Sequence, residues 1–323
     1  MKAFITGGAG FIGSSMADRL LLGPHNLVTI FDNFSWGHSD FLPRDNVGGR
    51  FKVISGDLLN LDAVKEGMAG HDIVYHFASN ADIAGGAVDT SLDIRQSVIA
   101  TYNVLEAMRH TGVGSIVFPS GSGIYGDLAD QRIREDHGPL LPVSMYGAGK
   151  LGAEALISAF CHLFDMRCHI LRLANVVGPR QTHGVVLDFI RKLLKSPDRL
   201  VILGDGKQKK SYIHIEDVLD AIFFLDAMCD QQINLFNITT EDAVDVNWIA
   251  QSVAEAMGLM PVAFEYTGGD RGWPGDVPVV NLDASKLFNL GWRPRLTSRQ
   301  AIALSIKQLL ERVPAETTRQ AQA

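Results

Sequence analysis

The chain has 323 residues, of which 46% are hydrophobic and 20% are charged, a composition typical of a globular protein with a sizeable core. Its 29 basic and 36 acidic residues give a net charge of −7, so the overall field repels polyanions and gives nucleic-acid binding no support. No apolar run approaches the roughly 20 residues that span a bilayer, so we expect no membrane association.

The cysteines and histidines carry no recognisable chemistry of their own. The three cysteines and ten histidines lack metal-ligand spacing, so we expect no metal site. An odd number of cysteines favours buried thiols in a reducing compartment, and we therefore expect a cytoplasmic protein.

The first elements are a strand, a glycine-rich turn and a helix. Residues 2–6 are apolar and predict a buried strand, and residues 14–22 have helical periodicity. Glycines between a strand and a helix allow backbone to approach a pyrophosphate at the helix N-terminus. We therefore predict that this turn binds a dinucleotide through Gly7, Gly10, Phe11, Ile12 and Gly13.

The second strand, residues 27–31, ends at Asp32, nineteen residues after Gly13. A carboxylate at this place can accept hydrogen bonds from an adenosine ribose and would repel a 2′-phosphate, which favours NAD over NADP. The alternative is that Asp32 only caps the turn after its strand. After a glycine fingerprint, we favour the ribose role.

Strands continue to alternate with helices, which predicts an α/β fold with a doubly wound parallel sheet of the Rossmann type. We predict a Rossmann domain over residues 1–174, to which a segment near 205–230 returns, and a smaller mixed α/β substrate domain over 175–323. The further predicted strands are 51–55, 72–77, 115–118, 167–173 and 200–203, and the further predicted helices are 61–68, 92–109, 146–160, 184–195, 215–228, 246–257 and 297–312.

Tyr146 and Lys150 stand four residues apart at the start of a helical run, so their side chains project to the same side. A phenol with a pKa near 10 is a poor base, and a fixed ammonium beside it lowers that pKa. This pair predicts an acid/base tyrosine assisted by a lysine, although the spacing alone also occurs by chance.

Several motifs lie in one order along nearly the whole chain. The chain resembles the extended short-chain dehydrogenase/reductase family, and within it the NAD-dependent nucleotide-sugar epimerases and dehydratases of the UDP-glucose 4-epimerase type. The motifs that carry the resemblance are the Gly7, Gly10, Gly13 turn, Asp32-Asn33, Gly56-Asp57, His76-Phe77-Ala78, Ile124-Tyr125-Gly126, the Tyr146 and Lys150 pair, and Asn175.

The resemblance implies a role for each matching residue. Tyr146 exchanges a proton with a sugar hydroxyl, and Lys150 holds the nicotinamide ribose and lowers the Tyr146 pKa. The remaining cofactor contacts implied are Asp32, Asn33, Asp57, Leu58, Phe77 and Ala78. The implied substrate is a nucleotide-diphosphate sugar, which would contact Asn175, Arg180, Lys210 and Arg271.

The chain departs from the family pattern at two positions. The family usually has Ser or Thr where Gly121 stands, so Ser120 or Ser122 must supply the hydroxyl. We favour Ser122, because its flanking glycines allow the loop to re-aim it, but both serines could instead bond only the loop backbone. Lys210 stands where Arg is more usual, and it lacks the bidentate fork.

The same loop bears on the reaction. Sugar 4,6-dehydratases carry an Asp-Glu pair where this chain has Ser122 and Gly123, so that reaction is disfavoured. We expect C4 epimerisation of a nucleotide-diphosphate hexose, for which a UDP-sugar is favoured, through a transient 4-keto sugar. The alternatives are a 5,6-dehydratase, a decarboxylase, a reductase or a non-catalytic NAD sensor. Spare apolar faces near 92–110 and 146–164 predict a homodimer through two long helices.

Overall fold

The computed structural model describes residues 1–43 and 47–320. The chain divides into two compact units. The first unit comprises Met1–Gly126, Glu135–Leu173 and Leu219–Asn237. The second comprises Asp127–Arg134, Ala174–Val218 and Ile238–Ala323.

Strands and helices alternate through most of the described residues. The strands are β1 (Lys2–Thr6), β2 (Leu27–Asp32), β3 (Phe51–Ser55), β4 (Ile73–His76), β5 (Ser115–Gly121), β6 (Arg132–Ile133), β7 (Arg167–Leu173), β8 (Asn175–Val177), β9 (Arg199–Ile202), β10 (Lys209–Lys210), β11 (Tyr212–His214), β12 (Ile233–Ile238), β13 (Val244–Asp245), β14 (Ala263–Tyr266) and β15 (Asn281–Leu282). The α-helices are α1 (Phe11–Leu21), α2 (Leu61–Met68), α3 (Ala100–Thr111), α4 (Met145–Phe164), α5 (Val185–Lys195), α6 (Ile215–Met228), α7 (Val246–Ala256), α8 (Ser285–Asn289) and α9 (Ser298–Gln320).

A seven-stranded sheet in the described residues forms the centre of the first unit, with the order β12-β7-β5-β4-β1-β2-β3. Strand β1 pairs in parallel with β2 on one side and with β4 on the other. The chain therefore builds outward from β1 to β3 and then crosses back to β4. The carboxyl ends of β1 and β4 lie at the resulting switch point, where ligands bind in doubly wound sheets. The predicted fold class is confirmed.

The inner strands of the sheet are buried because they are apolar along most of their length, as strands covered on both faces must be, whereas the edge strand β3 is largely exposed. On one face Phe4, Phe31 and Phe118 pack with Leu105 of α3 and Ile157 of α4 in a continuous core. Each such side chain, when fully buried, contributes about 1.5–3 kcal/mol. This packing fixes α4 against the carboxyl half of β5.

The predicted helix 92–109 contains an irregularity that its periodicity did not show. Ile94–Ile99 is a π-helical segment that leads directly into α3. It packs against α4 at Gly149, where an added Cβ would lie only 3.0 Å from the carbonyl oxygen of Asp93. Single π-helical turns inside α-helices are frequent at functional sites.

The second unit has its own core. Helices α5, α7 and α9 enclose Ile190, Val253 and Ile306 together with Ile202 of β9 and Tyr212 of β11. Short two-stranded sheets surround this core, of which β8–β11, β9–β14 and β6–β15 are parallel and β10–β13 is antiparallel.

Two further features of the described residues bear on the sequence expectations. None of the helices is long and apolar enough to cross a membrane, over the ranges 1–43 and 47–320. The cysteine expectation holds in part, because Cys161 and Cys168 are buried whereas Cys229 is partly exposed.

Candidate active site

The glycine turn between β1 and α1 has no room for side chains. Gly7 has a φ of +65°, and an added Cβ would lie 2.6 Å from the backbone nitrogen of Ala78. At Gly13 an added Cβ would overlap the carbonyl oxygen of Gly7. Gly10 caps α1 without a side chain, and the first N–H groups of a helix have no intrahelical acceptor. The turn is therefore an open cradle for an anionic group.

Asp32 links this turn to the loop that follows β2. Its side chain is 8% exposed, Oδ2 accepts from the Ala9 N–H at 2.9 Å, and Oδ1 accepts from the Phe34 N–H at 2.8 Å. The turn-capping role is thus present. Because a carboxylate can accept about four hydrogen bonds, the ribose role is compatible with it.

Asn33 and Asp57 meet at the ends of β2 and β3. Asn33 Nδ2 donates to Asp57 Oδ2 at 3.2 Å, and Asp57 Oδ1 accepts from the Leu59 N–H at 2.8 Å. Leu58 is buried, and its carbonyl accepts from Asn103 Nδ2 at 2.7 Å. The structure therefore brings together three of the predicted cofactor contacts, Asn33, Asp57 and Leu58.

His76 lies inside the sheet, one residue before Phe77 and Ala78. Its Nδ1 is 2.7 Å from Thr6 Oγ1 and its Nε2 is 3.0 Å from Thr101 Oγ1. Burial, helped by the charge of Lys150, lowers the pKa of His76 to about 3. A neutral imidazole held between two hydroxyls has a structural role. The segment that follows it closes over Gly7.

Helix α4 delivers Tyr146 and Lys150. Ser144 caps the helix by accepting from the Gly147 N–H at 3.1 Å. Lys150 Nζ donates to the Pro119 carbonyl at 2.9 Å and lies 5.8 Å from the centre of the Tyr146 ring. Burial lowers the pKa of Lys150 to about 8, against the opposing charges of Glu154 and Asp93. The predicted pair therefore lies side by side.

Tyr146 does not have the lowered pKa that the sequence predicts. Burial raises the pKa of Tyr146 to about 12, and the charge of Asp93 acts in the same direction. These two effects outweigh any stabilisation of the phenolate by the Lys150 ammonium. A further positive charge is required before the phenolate is accessible near neutral pH.

Two glycines at the end of β5 and directly after it, Gly121 and Gly123, lie near Tyr146. An added Cβ at Gly121 would lie 3.9 Å from the Tyr146 hydroxyl oxygen, and one at Gly123 would lie 4.0 Å from Cδ1 of the ring. Ser120 is 4% exposed, and its Oγ has no hydrogen-bond partner among the described residues. Ser122 is partly exposed. The choice between the two serines stays a prediction.

A buried polar network lies behind this loop, and the sequence reasoning missed it. Arg172 of β7 pairs with Glu154 of α4 at 2.8 Å and donates to the Tyr125 hydroxyl at 2.9 Å. Tyr125 in turn donates to Asn237 Oδ1 at 2.8 Å. The available signal was an arginine between the apolar residues Leu171 and Leu173 of a strand, because a buried charge requires a partner.

In the second unit, two of the predicted substrate residues both bond Asp276, one at its carboxylate and the other at its backbone carbonyl. Lys210 Nζ donates to Asp276 Oδ1 at 2.6 Å, and Arg271 Nη1 donates to the Asp276 carbonyl at 2.6 Å. Arg271 also pairs with Asp127 at 2.5 Å. Lys210 and Arg271 therefore form one basic cluster that is held in place by acidic residues.

The other two predicted substrate residues belong to β8 and to the loop that follows it. Asn175 is exposed at the start of β8, and its side chain shares a hydrogen bond with Tyr212. Arg180 is partly buried in the loop after β8. Among the residues that the structure describes, no group of three or more His, Cys, Asp or Glu side chains could hold a metal ion.

Comparisons with known proteins agree with this arrangement. Residues 3–239 match the model of the NAD-dependent epimerase/dehydratase family. The UDP-glucose 4-epimerase of Mycolicibacterium smegmatis is 29% identical over 316 residues, which cover 95% of this chain and 98% of that one.

Solved structures extend the likeness to nearly the whole fold. A UDP-galactose 4-epimerase has a TM-score of 0.85 and 35% identity, covering 97% of this chain and 100% of that one. MoeE5, solved with UDP-glucuronic acid and NAD, has a TM-score of 0.84 and 30% identity, covering 96% and 99%.

Proposed function

Because the chain belongs to the NAD-dependent epimerase/dehydratase family, we propose that it is an epimerase that inverts C4 of a UDP-hexose through a transient 4-keto sugar. The observation that supports this reaction most directly is the pairing of Tyr146 with Lys150 beside a loop without acidic residues at positions 121 to 123. Epimerisation needs one group that removes and returns a proton, whereas elimination of water needs an additional acid and base.

The cofactor is NAD, and the residues of the first unit fit it. The bare turn at Gly7, Gly10 and Gly13 suits the pyrophosphate, because a Cβ at Gly7 or Gly13 would collide with backbone. We assign the adenosine ribose to Asp32. When bound in its oxidised form, the cofactor supplies reversible acceptance of hydride and a positive charge on its ring. The remaining contacts assigned to it are Phe11, Ile12, Asn33, Asp57, Leu58, Phe77, Ala78, Tyr146 and Lys150.

Tyr146 is assigned the proton transfer. As a phenolate it takes the proton of the sugar hydroxyl, and it returns that proton when the opposite face of the sugar is presented. The ammonium of Lys150 stabilises the phenolate, and its hydrogen bond to Pro119 fixes its position. We assign the hydroxyl that aligns the sugar to Ser122, with Ser120 as the alternative.

The substrate diphosphate is assigned to the second unit. Lys210 and Arg271 already form one basic cluster at Asp276, and Asn175 and Arg180 add further polar groups. Arg271 can offer the bidentate contact that Lys210 cannot. We therefore assign NAD binding to the first unit and substrate binding mainly to the second.

The proposed reaction is tested with purified protein and two pairs of sugars. UDP-glucose and UDP-glucuronate are each incubated with the protein, and formation of the 4-epimer is followed by chromatography. Tyr146→Phe should abolish interconversion, whereas Tyr266→Phe, at an exposed tyrosine, should not. Near-normal turnover by Tyr146→Phe would remove the proposed role.

The same assay distinguishes epimerisation from the alternative functions. Net consumption of reduced cofactor would indicate a reductase, release of CO₂ a decarboxylase, and an unsaturated sugar product a 5,6-dehydratase. NAD bound without turnover on a broad sugar panel would support the sensor. Epimerisation alone leaves the bound cofactor unchanged in amount.

We also propose a homodimer through the outer faces of α3 and α4. Leu163 is 72% exposed and Phe164 is 43% exposed at the end of α4, and Tyr102 of α3 is exposed near them, in edge contact with Phe160. Apolar side chains so close together are costly to leave in water. A dimer mass by light scattering would support this, and a monomer would contradict it.

We also propose a cytoplasmic location, because a reducing compartment keeps the three cysteines as free thiols.

A further inference from the structure

Asp93 is a buried acidic residue to which the proposed reaction gives no role. Its side chain is 0% exposed, directly before the π-helical segment. Oδ1 accepts from Asn80 Nδ2 at 3.1 Å, while Oδ2 has no hydrogen-bond partner in the residues that the structure describes. A buried carboxylate oxygen left in this way is costly and calls for an explanation.

The position of Asp93 places it under the catalytic helix. An added Cβ at Gly149 would lie 3.0 Å from the Asp93 carbonyl oxygen and 3.3 Å from the Asp93 Cβ. Gly149 directly precedes Lys150 and follows Tyr146 by three residues. The backbone of α4 therefore approaches Asp93 at the turn that carries both side chains.

On its other side, Asp93 contacts residues 80–87, which we call the 80–87 loop. An added Cβ at Gly86 would overlap Asp93 Oδ2 and would lie 3.4 Å from the Cβ of Met145 in α4. Asn80 Nδ2 bridges the Asp93 carboxylate and the Asp82 carbonyl. The carboxylate thus lies between this loop and the start of α4.

The charged and titratable groups that act on Asp93 come from both elements. Burial, together with the charge of the exposed Asp82, raises the pKa of Asp93, against the hydrogen bond from Asn80 and the charge of Lys150. Burial raises the pKa of Tyr146, and the charge of Asp93 adds to this rise. Burial lowers the pKa of Lys150, and the charges of Glu154 and Asp93 oppose that lowering. One carboxylate therefore acts on both members of the pair.

Resting on the proposed function, we propose that Asp93 is a positioning residue whose carboxylate holds the 80–87 loop against α4 and sets the pH range in which Tyr146 and Lys150 act together. The negative charge stabilises the ammonium and opposes the phenolate. Removing it favours loss of a proton at both groups. In the pH profile of kcat, the acidic limb reports formation of the phenolate and the alkaline limb reports loss of the ammonium. Both limbs should then move to lower pH.

The first test is the pH dependence of kcat for Asp93→Asn, which keeps the shape and the acceptor for Asn80. We expect both limbs to move down by about one pH unit. A purely structural role would lower kcat at every pH without moving both limbs in one direction, and that result would overturn the proposal. Asp93→Glu should keep the limbs near their wild-type positions.

Asp82→Asn is the matched control, because it removes an exposed carboxylate from the same loop. It should leave both limbs in place. A displacement equal to that of Asp93→Asn would show a general field effect and contradict the assignment to Asp93. If Asp93→Asn does not fold, Asp93→Ser serves as the second neutral variant.

A second readout does not depend on any sugar. The ionisation of Tyr146 in the NAD-bound protein is followed by phenolate ultraviolet absorbance, with Tyr146→Phe protein as the subtracted reference. Asp93→Asn should move this ionisation to lower pH even if no sugar is turned over, in which case only the proposed function fails. An unmoved ionisation in a folded variant would overturn the role of Asp93.

Discussion

A Cβ added at Gly121 would lie 3.9 Å from the hydroxyl oxygen of Tyr146, an ordinary van der Waals distance. This is the position at which related enzymes are expected to carry a serine or threonine. The chain therefore has room for that side chain but does not supply it. A variant that has a hydroxyl at position 121 and lacks the hydroxyl of Ser122 tests whether a neighbouring serine replaces it.

Ser122→Ala should lower kcat, and Gly121→Ser in that background should restore it. A hydrogen bond to a charged group contributes about 1.5–3 kcal/mol, so the loss should be roughly 10- to 100-fold. The measurement is steady-state epimerisation with the best sugar of the panel. Gly121→Ala in the same background is the control for volume and should restore nothing.

The variant Ser120→Ala tests whether Ser120, and not Ser122, supplies the hydroxyl that aligns the sugar. Its Oγ is buried at the end of β5 and has no partner among the described residues. A loss of kcat confined to Ser120→Ala, with Ser122→Ala unaffected, would transfer the role to Ser120. A loss in neither variant would mean that both serines serve the loop alone.

Lys150 should make the stability of the protein depend on pH at the alkaline end. Burial lowers its pKa from 10.5 to about 8. Between these values the unfolded chain binds more protons than the folded one, so the cost of burying the ammonium decreases as pH rises. Below pH 8 the full cost is present. Lys150→Met removes it and should raise Tm most below pH 8.

Calorimetry across this range gives the test. The Tm difference between Lys150→Met and wild type should shrink toward pH 10.5. Lys52→Met, at an exposed position of β3, controls for loss of a charge and should show no such trend. A difference that stays constant with pH would show that the buried lysine does not titrate in this window.

Much of the first unit could be predicted because local patterns and tertiary burial agree there. Strands β1, β3 and β7 and helix α2 have the predicted bounds, since each is a short apolar run or an amphipathic stretch between turn residues. The seventh strand, β12, was missed. It follows α6 in a region assigned to mixed structure, and its place beside β7 depends on tertiary pairing.

The chemistry of the site was less predictable than its location. Sequence spacing correctly placed Lys150 beside Tyr146, but the Tyr146 pKa depends on desolvation and on Asp93, which stands 53 positions earlier in the chain. The π-helical segment that brings Asp93 there has no periodicity signal. Long-range charges and irregular backbone therefore limit what spacing can show.

Arg172 should be the most stability-sensitive residue of the buried network behind the active-site loop. Arg172→Leu leaves the Glu154 carboxylate buried without its partner, which typically costs about 3–5 kcal/mol. The double variant Arg172→Leu, Glu154→Leu should recover most of that loss. The free energy of unfolding in urea measures both.

An ion pair on the same strand provides the comparison. Arg167 pairs with Asp226 at 3.0 Å, but both side chains are more than a third exposed. Arg167→Leu should therefore cost less than about 1 kcal/mol. If the two arginine variants were equally destabilised, burial would not explain the importance of Arg172.

Two glycines of α4 test how closely the π-helical segment positions Tyr146 and Lys150. At Gly149 an added Cβ would lie 3.0 Å from a backbone oxygen, that of Asp93, whereas at Gly152 it would lie 3.1 Å from a methyl group of Val98. A side chain can move aside and a packed backbone cannot. Both replacements by alanine gain about 1 kcal/mol of helix propensity.

Gly149→Ala should therefore shift α4, lower kcat at least tenfold and destabilise the protein by about 1–3 kcal/mol. Gly152→Ala should be close to neutral in both. The measurements are kcat and the urea midpoint of each variant. Equal behaviour of the two variants would mean that α4 tolerates movement at Asp93, and that the close contact does not set the position of Tyr146 and Lys150.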